Sequence, residues 1–411
     1  MIHYMTIRGT ADAWIGNELR VVRKEGIPFR LHALDKSTQN YFSSKDVAEI
    51  AGDTRFLRPV SLLQVCGAVL MAPARFRGAF FAALGNALFG PRESLRIRAV
   101  GLWHLCLGCH WASMLRAEEQ QGAPVSHIHS QWIHSAGTVA MFGAWLLDRP
   151  FSFTGHAADL FRERAALNTK IRRAAFIICI SEFHRQFYLK NGARPEQLHI
   201  AYCGIDTSHF APRRRVRADG EPLHILAAGR LVEKKGFPVL IKACALLKNR
   251  GYPFHCTIGG SGPDEAVLRT LVDEVGLGTD ITLTGEALKQ ENIPDFMYAG
   301  DLFCLPCVWA SDNDVDGLPQ MTMEAMACGL PAITTRLVGN PDLVIHEQTG
   351  LLVDPHDAAG LADAIMQIGE NEALARQLAK AGHKHVTDIF DIDRCLEALL
   401  AQYRTALETR S

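Results

Sequence analysis

Short apolar runs alternate with stretches of helical spacing along most of the chain. In the second half these runs read LHILAAG, FHCTIGG, ITLTGE, DLFCLP, PAITT and LLVDP. Strands that alternate with helices at this spacing predict a doubly wound parallel sheet. The first half repeats the pattern less regularly, with strands predicted at 29–34, 151–154 and 176–180. The sequence therefore predicts an α/β fold of two Rossmann-like domains.

The length of the chain agrees with this division. A sequence of 411 residues is too long for one ordinary core, and two domains of about 200 residues are expected. Residues 211–222, APRRRVRADGEP, are polar, basic and rich in Pro and Gly, which is typical of a linker. We predict an N-terminal domain at 1–212, a linker at 213–222, a C-terminal domain at 223–385 and a terminal helix at 386–411.

Charge is distributed unevenly, although the net charge is only −1. Residues 1–212 carry +8 and the remainder carries −9. Within the first half, the segment 55–116 holds eight Arg, no Lys and one Glu among long apolar runs. Its helices either form a domain core or present a basic, amphipathic surface to an anionic membrane. A third interpretation pairs these arginines with the acidic second half.

The cysteines and the first residues indicate a reduced, cytoplasmic setting. Eleven cysteines are scattered along the chain, and MIHYMTIRGTADAWIG lacks the charged-then-apolar pattern of a secretory signal. The nearest approach to a membrane span, residues 99–115, is 17 residues long and contains polar residues. We expect a cytoplasmic protein, with peripheral binding to the inner face of the cell membrane as an open alternative, and no nucleic-acid partner.

Two patterns imitate metal sites. The segment 312–317, DNDVDG, begins like a calcium-binding loop, but Met323 stands at the twelfth position, where such a loop needs a bidentate Glu. His127 and His129 are two residues apart on a predicted strand, and alternate strand residues face one side without any metal. We therefore predict no metal and no cofactor.

The candidate chemistry centres on residues 316–331, DGLPQMTMEAMACGLP. Pro319 suits the start of a helix over 320–328, and the following glycine suits its end. Glu324 lies early in this helix and Asp316 lies eight residues before it, so two carboxyl groups face one small space and can bind hydroxyls. The competing interpretation is an amphipathic helix on which Glu324 is simply exposed.

A second candidate is the basic loop GRLVEKKG at 229–236, after the first strand of the C-terminal domain. Arg230 can bind a diphosphate through two N–H groups, and Lys235 can bind it as a point charge. The competing interpretation is a solvated basic loop. After the next strand, GGSGP at 259–263 is an incomplete G-x-G-x-x-G, because Glu265 replaces the third glycine.

Together these motifs resemble retaining glycosyltransferases of family 4, which carry EGLPxxxxEAMACGxP, GRLxxKKG and a GxGP turn. Glu324 stands at the second Glu of the family's E-x7-E motif, and Asp316 replaces the first. Four residues match the family's N-terminal motif SETFIxxE: Asp12, Trp14, Ile15 and Glu18. The resemblance implies the GT-B fold, with the ligand in the interdomain cleft and a C-terminal helix that crosses back to the first domain.

The resemblance also implies roles for single residues. Arg230 and Lys235 would stabilise the leaving diphosphate, and Glu324 would accept ribose hydroxyls. His156, in the TGH segment after the strand at 151–154, would position the sugar, and Asp316 would contact the donor sugar. The predicted catalytic residues are His156, Arg230, Lys235 and Asp316. The predicted donor-binding residues are Gly229, Gly260, Gly262, Gly285, Glu286, Gly317, Leu318, Pro319 and Glu324.

The predicted function is that of a retaining, metal-independent hexosyltransferase. It would move a sugar from a nucleotide-diphosphate sugar to a hydroxyl of an acceptor, expected to be a lipid-linked saccharide in cell-surface polysaccharide assembly. Two alternatives share the fold: a non-catalytic protein that binds nucleotide sugar or lipid, and a GT-B epimerase. Fold alone does not choose among them. The donor sugar, the base, the acceptor and the linkage are not specified by the motifs.

Overall fold

The computed structural model describes residues 1–37, 44–90, 94–156, 160, 165–213, 215–218 and 220–408. The chain forms two compact units. Unit 1 comprises Met1–Tyr202 together with Leu396–Ser411, and unit 2 comprises Cys203–Cys395. Each unit has its own parallel sheet, as the alternation of apolar runs and helical stretches predicts.

Unit 1 is built on a seven-stranded sheet. Its strands are Ile2–Thr6 (β1), Phe29–Ala33 (β2), Arg55–Phe56 (β3), His127–Gln131 (β4), Phe151–Gly155 (β5), Ala174–Cys179 (β6) and Leu198–Ile200 (β7). Its first helices are Ala13–Lys24 (α1), Lys45–Gly52 (α2), Leu62–Phe76 (α3), Gly78–Phe89 (α4), Leu95–Gln120 (α5), Ser135–Leu147 (α6), Leu167–Arg173 (α7) and Glu182–Lys190 (α8). The strand order is β3-β2-β1-β4-β5-β6-β7, and all six pairings are parallel.

Unit 2 is built on a six-stranded sheet. Its strands are Leu223–Ala228 (β8), Phe254–Gly259 (β9), Ile281–Leu283 (β10), Leu302–Leu305 (β11), Ala332–Thr335 (β12) and Leu351–Val353 (β13). Its helices are Phe237–Asn249 (α9), Glu265–Glu274 (α10), Ile293–Tyr298 (α11), Gln320–Ala327 (α12), Asn340–Leu343 (α13), Ala358–Glu370 (α14), Glu372–Ile389 (α15) and Ile392–Cys395 (α16). The strand order is β10-β9-β8-β11-β12-β13, and all five pairings are parallel. Successive strands are added on one side from β8 to β10 and on the other side from β11 to β13, so the topological switch point lies between β8 and β11.

The two units divide before the segment predicted as the linker. Unit 2 begins at Cys203, whereas the sequence placed the linker at 213–222. Ile205 N donates to Phe390 O at 3.0 Å, and Ile392 N donates to Ile205 O at 2.8 Å. A Cβ at Gly204 would lie 2.4 Å from Phe390 O, so this contact needs a glycine. These backbone contacts attach residues 203–212 to unit 2, and no composition signal reveals them.

The predicted terminal helix at 386–411 is three helices. Residues 386–389 end α15, α16 follows, and the chain then enters Glu397–Glu408 (α17), which belongs to unit 1. Tyr403 of α17 is fully buried, and its ring lies 5.7 Å from that of Tyr4 and 5.5 Å from that of His129. The last helix is therefore part of the unit 1 core.

The segment 55–116 forms most of α3, α4 and α5, and these helices are buried on one side only. Val65, Ala72, Phe76, Phe80 and Ala83 point into the unit 1 core. Other large apolar side chains of the same helices are exposed: Leu62, Leu63, Leu70, Met71, Phe81, Phe89 and Leu95. The helices thus supply core and leave an apolar outer surface. No helix in the described ranges is long and apolar enough to cross a bilayer.

Candidate active site

The loops after β8 and β9 pack backbone to backbone at one edge of the unit 2 sheet. Gly229 N donates to Gly259 O at 3.0 Å. A Cβ at Gly260 would lie 1.9 Å from Gly229 O, and a Cβ at Gly262 would lie 2.4 Å from Leu231 O. Gly260 also has φ +139°, a conformation that residues with a side chain rarely adopt. The glycines of the GxGP turn therefore have a structural role in this close approach.

The loop after β10 joins the same edge through one hydroxyl group. Gly260 N donates to Thr284 Oγ1 at 3.1 Å, and Glu286 N donates to the same oxygen at 3.4 Å. Gly285, between them, has φ +69°. Gly285 and Glu286, predicted to hold the nucleotide, thus lie beside the GxGP turn because parallel strands end at a common edge.

Lys235 and Asp316 meet at this edge. Lys235 Nζ donates to Asp316 Oδ2, although the two residues are 81 positions apart. Lys234 Nζ lies 3.3 Å from Asp316 Oδ1 and 3.2 Å from Asp314 Oδ2. The side chains of Lys235 and Asp316 are only 13% and 16% exposed. Both oxygens of Asp316 are therefore engaged by ammonium groups in a site with little solvent.

This arrangement keeps both partners ionised. Burial alone would raise the pKa of Asp316, but the attraction of Lys235 and Lys234 outweighs it and lowers that pKa to about 2. Burial opposes the charge of Lys235 as well, yet the Asp316 carboxylate raises the pKa of the ammonium overall. The pair is thus a fixed cation and a fixed anion at neutral pH.

Glu324 lies on α12, which the sequence predicts well. The helix begins after Pro319, and Gly329 follows its end with φ +80°. The interpretation of Glu324 as an exposed residue is wrong, because it is only 5% exposed. Its Oε1 accepts a hydrogen bond from Gln290 Nε2 at 3.0 Å, while its Oε2 has no partner among the described residues. Burial raises the pKa of Glu324 to about 7.

The other predicted site residues near Lys235 and Asp316 differ in their exposure to solvent. Arg230 is exposed at the start of its loop, and it lies near enough to Lys235 to oppose the charge of that ammonium. Gly317, Leu318 and Pro319 are buried, and Gly317 O accepts from the backbone N–H of residue 339 at 2.9 Å. Arg230 therefore offers a guanidinium to a ligand, whereas the three buried residues form the turn that carries Asp316 to Lys235.

The described part of the chain contains no group of three or more His, Cys, Asp or Glu that is arranged to hold a metal. In the DVD segment, the carboxylates of Asp314 and Asp316 contact lysine ammonium groups. Cys304, in β11, and Cys307, two residues after that strand, have the C-x-x-C spacing and are buried free thiols.

In unit 1, His156 follows β5 and is 7% exposed. Its Nε2 lies 3.2 Å from Gln131 Oε1, and Gln131 Nε2 donates to Glu18 Oε1 at 2.6 Å. Burial lowers the pKa of His156 to about 3, and the neighbouring His184 and a second histidine add to this effect. His156 is thus neutral at pH 7, and it orients groups by hydrogen bonding instead of supplying a positive charge.

Glu18 ends this hydrogen-bonded row. It also accepts from Tyr4 Oη at 3.3 Å, and burial raises the pKa of Glu18 to about 7, although its hydrogen bonds with Gln131 and Tyr4 favour the ionised form. The row His156, Gln131, Glu18 and Tyr4 connects the middle of β1, the end of β4 and the residue after β5 with α1. It couples a residue of the SETFIxxE motif to the predicted sugar-positioning histidine.

Comparison with known proteins adds a family to this geometry. The model for glycosyl transferases group 1 matches residues 210–385, and the model for Glycosyltransferase Family 4 matches residues 77–209. The chain belongs to the family 4 glycosyltransferases. The group 1 match lies within unit 2, which holds the Lys235–Asp316 pair, and the family 4 match lies in unit 1 except for its last residues, 203–209.

Relatives with assigned names match a little over half of the chain. WcaL of Escherichia coli (strain K12), assigned as a colanic acid biosynthesis glycosyltransferase, is 35% identical over 233 residues, 56% of this chain and 57% of WcaL. The amylovoran biosynthesis glycosyltransferase AmsK of Erwinia amylovora is 34% identical over 224 residues, 53% of this chain and 54% of AmsK. The chain thus spans about half the length of these relatives.

Solved structures resemble the whole chain. Sucrose-phosphate synthase (tll1590) from Thermosynechococcus elongatus has a TM-score of 0.70 at 20% identity and covers 100% of this chain and 99% of its own. Anabaena Alr3699/HepE in complex with UDP-glucose has a TM-score of 0.65 at 16% identity and covers 100% of both chains. At these identities the likeness shows the fold, which is the GT-B fold of family 4.

Sequence reasoning missed two residues of the candidate site in unit 2 and one beside His156 in unit 1. Lys234 neutralises Asp316 together with Lys235, Gln290 holds Glu324, and Gln131 holds His156. Lys234 is the first Lys of the family motif GRLxxKKG, so its position already suggested it. The two glutamines lie outside any motif, and they are found only from the contacts.

Proposed function

We propose that the protein is a retaining glycosyltransferase that moves a hexosyl group from a nucleotide-diphosphate sugar to an acceptor hydroxyl. The observation that carries this proposal is the Lys235–Asp316 pair beside Glu324, where three loops meet at one sheet edge. Negative charge grows on the leaving diphosphate as the anomeric bond breaks. A nearly buried ammonium, fixed in advance, stabilises that charge more than water does.

Asp316 acts in this proposal by holding Lys235. An ammonium has three N–H groups, so Lys235 can keep its bond to Asp316 while it donates to a phosphate oxygen. Lys234 shares the same carboxylate, which leaves Lys235 less fully neutralised by Asp316. Asp316 is one methylene shorter than the Glu that the family has at this position. We assign Asp316 a contact with the donor sugar as well.

Glu324 supplies acceptors for the ribose of the donor. A carboxylate accepts through both oxygens, and the Oε2 of Glu324 has no described partner. Gln290 occupies Oε1 and fixes the plane of the group. Because an unsatisfied buried carboxylate oxygen costs free energy, two hydroxyl donors from a ribose would relieve that cost on binding. His156 of unit 1 is assigned to positioning the transferred sugar.

The reaction needs no metal in this proposal. A cation would have to displace Lys234 and Lys235 from Asp314 and Asp316, since both carboxylates already contact ammonium groups. The positive charge of the lysines and Arg230 takes the place that a divalent ion has in other phosphate sites. Transfer that persists in a chelator would support this assignment, and transfer that requires added Mg²⁺ or Mn²⁺ would contradict it.

The acceptor is proposed to be a saccharide, lipid-linked, in cell-surface polysaccharide assembly. The names of WcaL and AmsK place those relatives in colanic acid and amylovoran biosynthesis. A third relative, 32% identical over 192 residues, is named a GDP-mannose-dependent mannosyltransferase that acts on phosphatidylinositol monomannoside. Such acceptors lie at a membrane, so the outer surface of unit 1 bears on the proposal.

The apolar outer surface of α3, α4 and α5 supports peripheral binding to the inner face of the cell membrane. Leu63, Phe89 and Leu95 are 85%, 84% and 84% exposed. Arg75 and Arg77 are exposed at the turn between α3 and α4, where they line a cavity of about 750 Å³. Exposed apolar patches of this kind mark interaction surfaces, and basic groups near an anionic leaflet contribute about 1 kcal/mol each.

Vesicle sedimentation tests the membrane proposal. We expect binding to phosphatidylglycerol vesicles, no binding to phosphatidylcholine vesicles, and loss of binding in high salt. The double variant Arg75→Glu/Arg77→Glu should bind less, whereas Arg185→Glu, on α8 outside this surface, should bind as the wild type does. Protein that stays in the supernatant with both kinds of vesicle would contradict the proposal and favour an acceptor that is free in solution.

A panel of nucleotide sugars tests the reaction itself. Purified protein should hydrolyse or transfer at least one of the UDP- and GDP-linked hexoses, and mass analysis of the product identifies donor and acceptor together. A protein that binds nucleotide but neither hydrolyses nor transfers any donor would support the non-catalytic alternative. Recovery of the donor with one inverted sugar carbon would support the epimerase.

A further inference from the structure

Three aromatic rings meet where the strands of unit 1 end. The ring centroid of His156 lies 4.0 Å from that of Trp14 and 4.7 Å from that of Trp132, and the two tryptophan rings are 5.7 Å apart. Trp14 lies on the first turn of α1, after β1, and Trp132 and His156 follow β4 and β5. His156 is buried, but both tryptophans are only half-buried. Two large apolar rings are therefore partly accessible where the strands end, the side of a parallel sheet at which ligands usually bind.

The backbone of Trp132 is strained. Its φ is +83°, a region that bulky residues seldom occupy. Its N–H donates to Thr154 O at 3.1 Å, and its carbonyl accepts from Ser130 Oγ at 2.8 Å. A Cβ at Gly137 would lie 2.8 Å from that carbonyl oxygen, so the residue facing it must be glycine. Both backbone polar groups of this strained residue are therefore held by hydrogen bonds to neighbouring strand residues.

A buried lysine fixes the loop that follows. Lys170 is 1% exposed, and its ammonium donates to the carbonyls of Ile133, of His134 at 3.2 Å and of Ala165 at 2.7 Å. Two of these three carbonyls directly follow Trp132. A conformation of this kind persists only where its surroundings over-determine it, which occurs mainly at functional sites. The contacts therefore point to a ring that is held in place for a ligand.

We propose that Trp14 and Trp132 form a stacking platform for a neutral pyranose ring of the acceptor saccharide. One face of a pyranose consists of C–H groups, which carry partial positive charge, and the face of an indole carries the negative side of its quadrupole. Stacking also removes apolar surface of both partners from water. This inference rests on the proposed function and deepens it by assigning a subsite for the acceptor.

The choice of the acceptor over the donor follows from charge. The diphosphate and ribose of the donor are assigned to Lys235, Arg230 and Glu324 of unit 2, and its transferred sugar is assigned to His156 and Asp316. The platform offers three uncharged rings, since burial keeps His156 neutral. A ligand that presents only a sugar at this point gains most from such a surface. Trp14 and Trp132 are therefore specificity-determining residues for the acceptor.

Variants of single rings test the platform. Trp132→Ala and Trp14→Ala should each raise the KM for the acceptor at least tenfold, with nucleotide binding unchanged. The KM for the donor should rise less, since the two rings contact the donor's sugar only indirectly, by packing against His156. Trp132→Phe should recover most of the loss, because it keeps a stacking face. The matched control is Trp145→Ala, which removes a half-buried ring on α6 that stacks with Arg173 at 3.7 Å, away from the strand ends. Lys170→Met removes the ammonium that holds the loop after Trp132, so it should raise the KM for the acceptor as Trp132→Ala does.

A binding measurement separates the platform from the reaction. Saturation-transfer NMR with methyl α-glucoside, α-galactoside and α-mannoside at tens of millimolar should show contact in the wild type and Trp145→Ala, and loss of contact in Trp132→Ala. If a pyranoside contacts the wild type but the enzyme transfers no glycosyl group from any donor, the proposed function is refuted and the platform stands. The platform is overturned if no pyranoside shows contact, if the tryptophan variants keep the wild-type signal and acceptor KM, or if only the donor KM rises.

Discussion

The two units bury polar groups in opposite ways. Unit 1 has seven buried histidines, whereas no histidine in the described part of unit 2 is buried. In unit 1, Ser152 Oγ lies 2.6 Å from His127 Nε2 and 2.8 Å from His129 Nδ1, within the sheet itself. Unit 2 instead concentrates charge at the edge of its sheet, in Lys235, Asp316 and Glu324. The same parallel architecture therefore accommodates a row of neutral histidines within the sheet or a charged rim at its edge.

The neutral core of unit 1 depends on proton positions. Trp111 Nε1 donates to His32 Nδ1 at 3.2 Å, and His32 Nε2 lies 3.1 Å from His3 Nδ1. An indole can only donate, so His32 carries its proton on Nε2 and donates it to His3. A second proton on either ring would set two N–H groups against each other. This row thus tolerates no added charge, whereas the rim of unit 2 is built from charges.

The largest expected difference between the units is in their response to acid. Burial lowers the pKa of buried unit 1 histidines from 6.5 to about 3 or 4: His3, His104, His156 and His184. Because the folded pKa is the lower one, the stability is present above pH 6.5 and is lost as the pH falls toward 3. At pH 5 each such histidine costs about 2 kcal/mol.

Hydrogen exchange measured by mass spectrometry at pH 7 and pH 5 checks this prediction on the intact chain. Peptides of β1, β4 and β5 should lose protection at pH 5 before peptides of β8, β11 and β12. Glu18 partly offsets the effect, since burial raises the pKa of Glu18 to about 7 and its protonation stabilises the fold in acid. Equal loss of protection in both sheets would show that the buried histidines do not set the acid stability.

The next prediction removes the cation of the charged rim. Lys235→Ala should lower kcat/KM by about 30- to 1000-fold, or 2–4 kcal/mol, because one fixed donor to the leaving group is lost. Lys248→Ala is the matched control, since Lys248 pairs with Asp280 at 2.8 Å on the exposed surface. The double variant Lys235→Ala/Asp316→Asn tests whether the carboxylate of Asp316, left with Lys234 as its partner, causes the loss. Unchanged turnover in Lys235→Ala would remove Lys235 from the site.

Glu324→Gln should make unit 2 more stable and less functional. Burial raises the pKa of Glu324 from 4.5 to about 7, so its contribution to stability is full below pH 4.5 and is lost as the pH rises through 7. The variant should gain up to about 3 kcal/mol in the free energy of unfolding at pH 8, and nothing at pH 4.5. Urea unfolding at the two pH values measures this, with the exposed Glu286→Gln as control. The same variant should lose nucleotide affinity, and a stability gain equal at both pH values would contradict the assignment.

The smallest effect is expected at Asp316. Asp316→Glu restores the family's residue and should keep activity within about tenfold, or 1.4 kcal/mol, while it changes the preference among donors. The added methylene moves the carboxylate toward the ligand, and Lys234 and Lys235 can follow it. Rates with a panel of nucleotide sugars measure the change. Asp316→Ala as active as the wild type with every donor would exclude a role for this carboxylate.

Much of the fold is local information and could be predicted. The six strands of unit 2 follow from apolar runs, and α12 follows from Pro319 and Gly329 at its two ends. The division at Cys203 could not be predicted, because it depends on the packing of Gly204 against Phe390, which is remote in sequence. The break between α15 and α16 depends on the same contact. Composition had placed both boundaries elsewhere.

The candidate site was predictable in its residue types and unpredictable in its contacts. Spacing and the family resemblance identified Lys235, Asp316 and Glu324, but the direct bond between the first two joins loops 81 residues apart. Glu324 was equally consistent with an exposed helix face, since a single carboxylate does not report its burial. The positive φ of Trp132 could not be predicted from the sequence, because a bulky residue at the end of a strand is ordinarily expected to have a negative φ.

The place of α17 constrains how a ribosome can deliver this protein. Tyr403 fills the centre of unit 1, in ring contact with Tyr4, His129 and Phe176, although it is synthesised after the whole of unit 2. Unit 2 has all of its residues in one continuous stretch and can close while translation continues. Unit 1 is synthesised first but completed last, and until then His127 and His129 lack the ring of Tyr403 beside them. The native core of unit 1 is therefore expected to close only after α17 has been synthesised, although most of unit 1 precedes unit 2 in the chain.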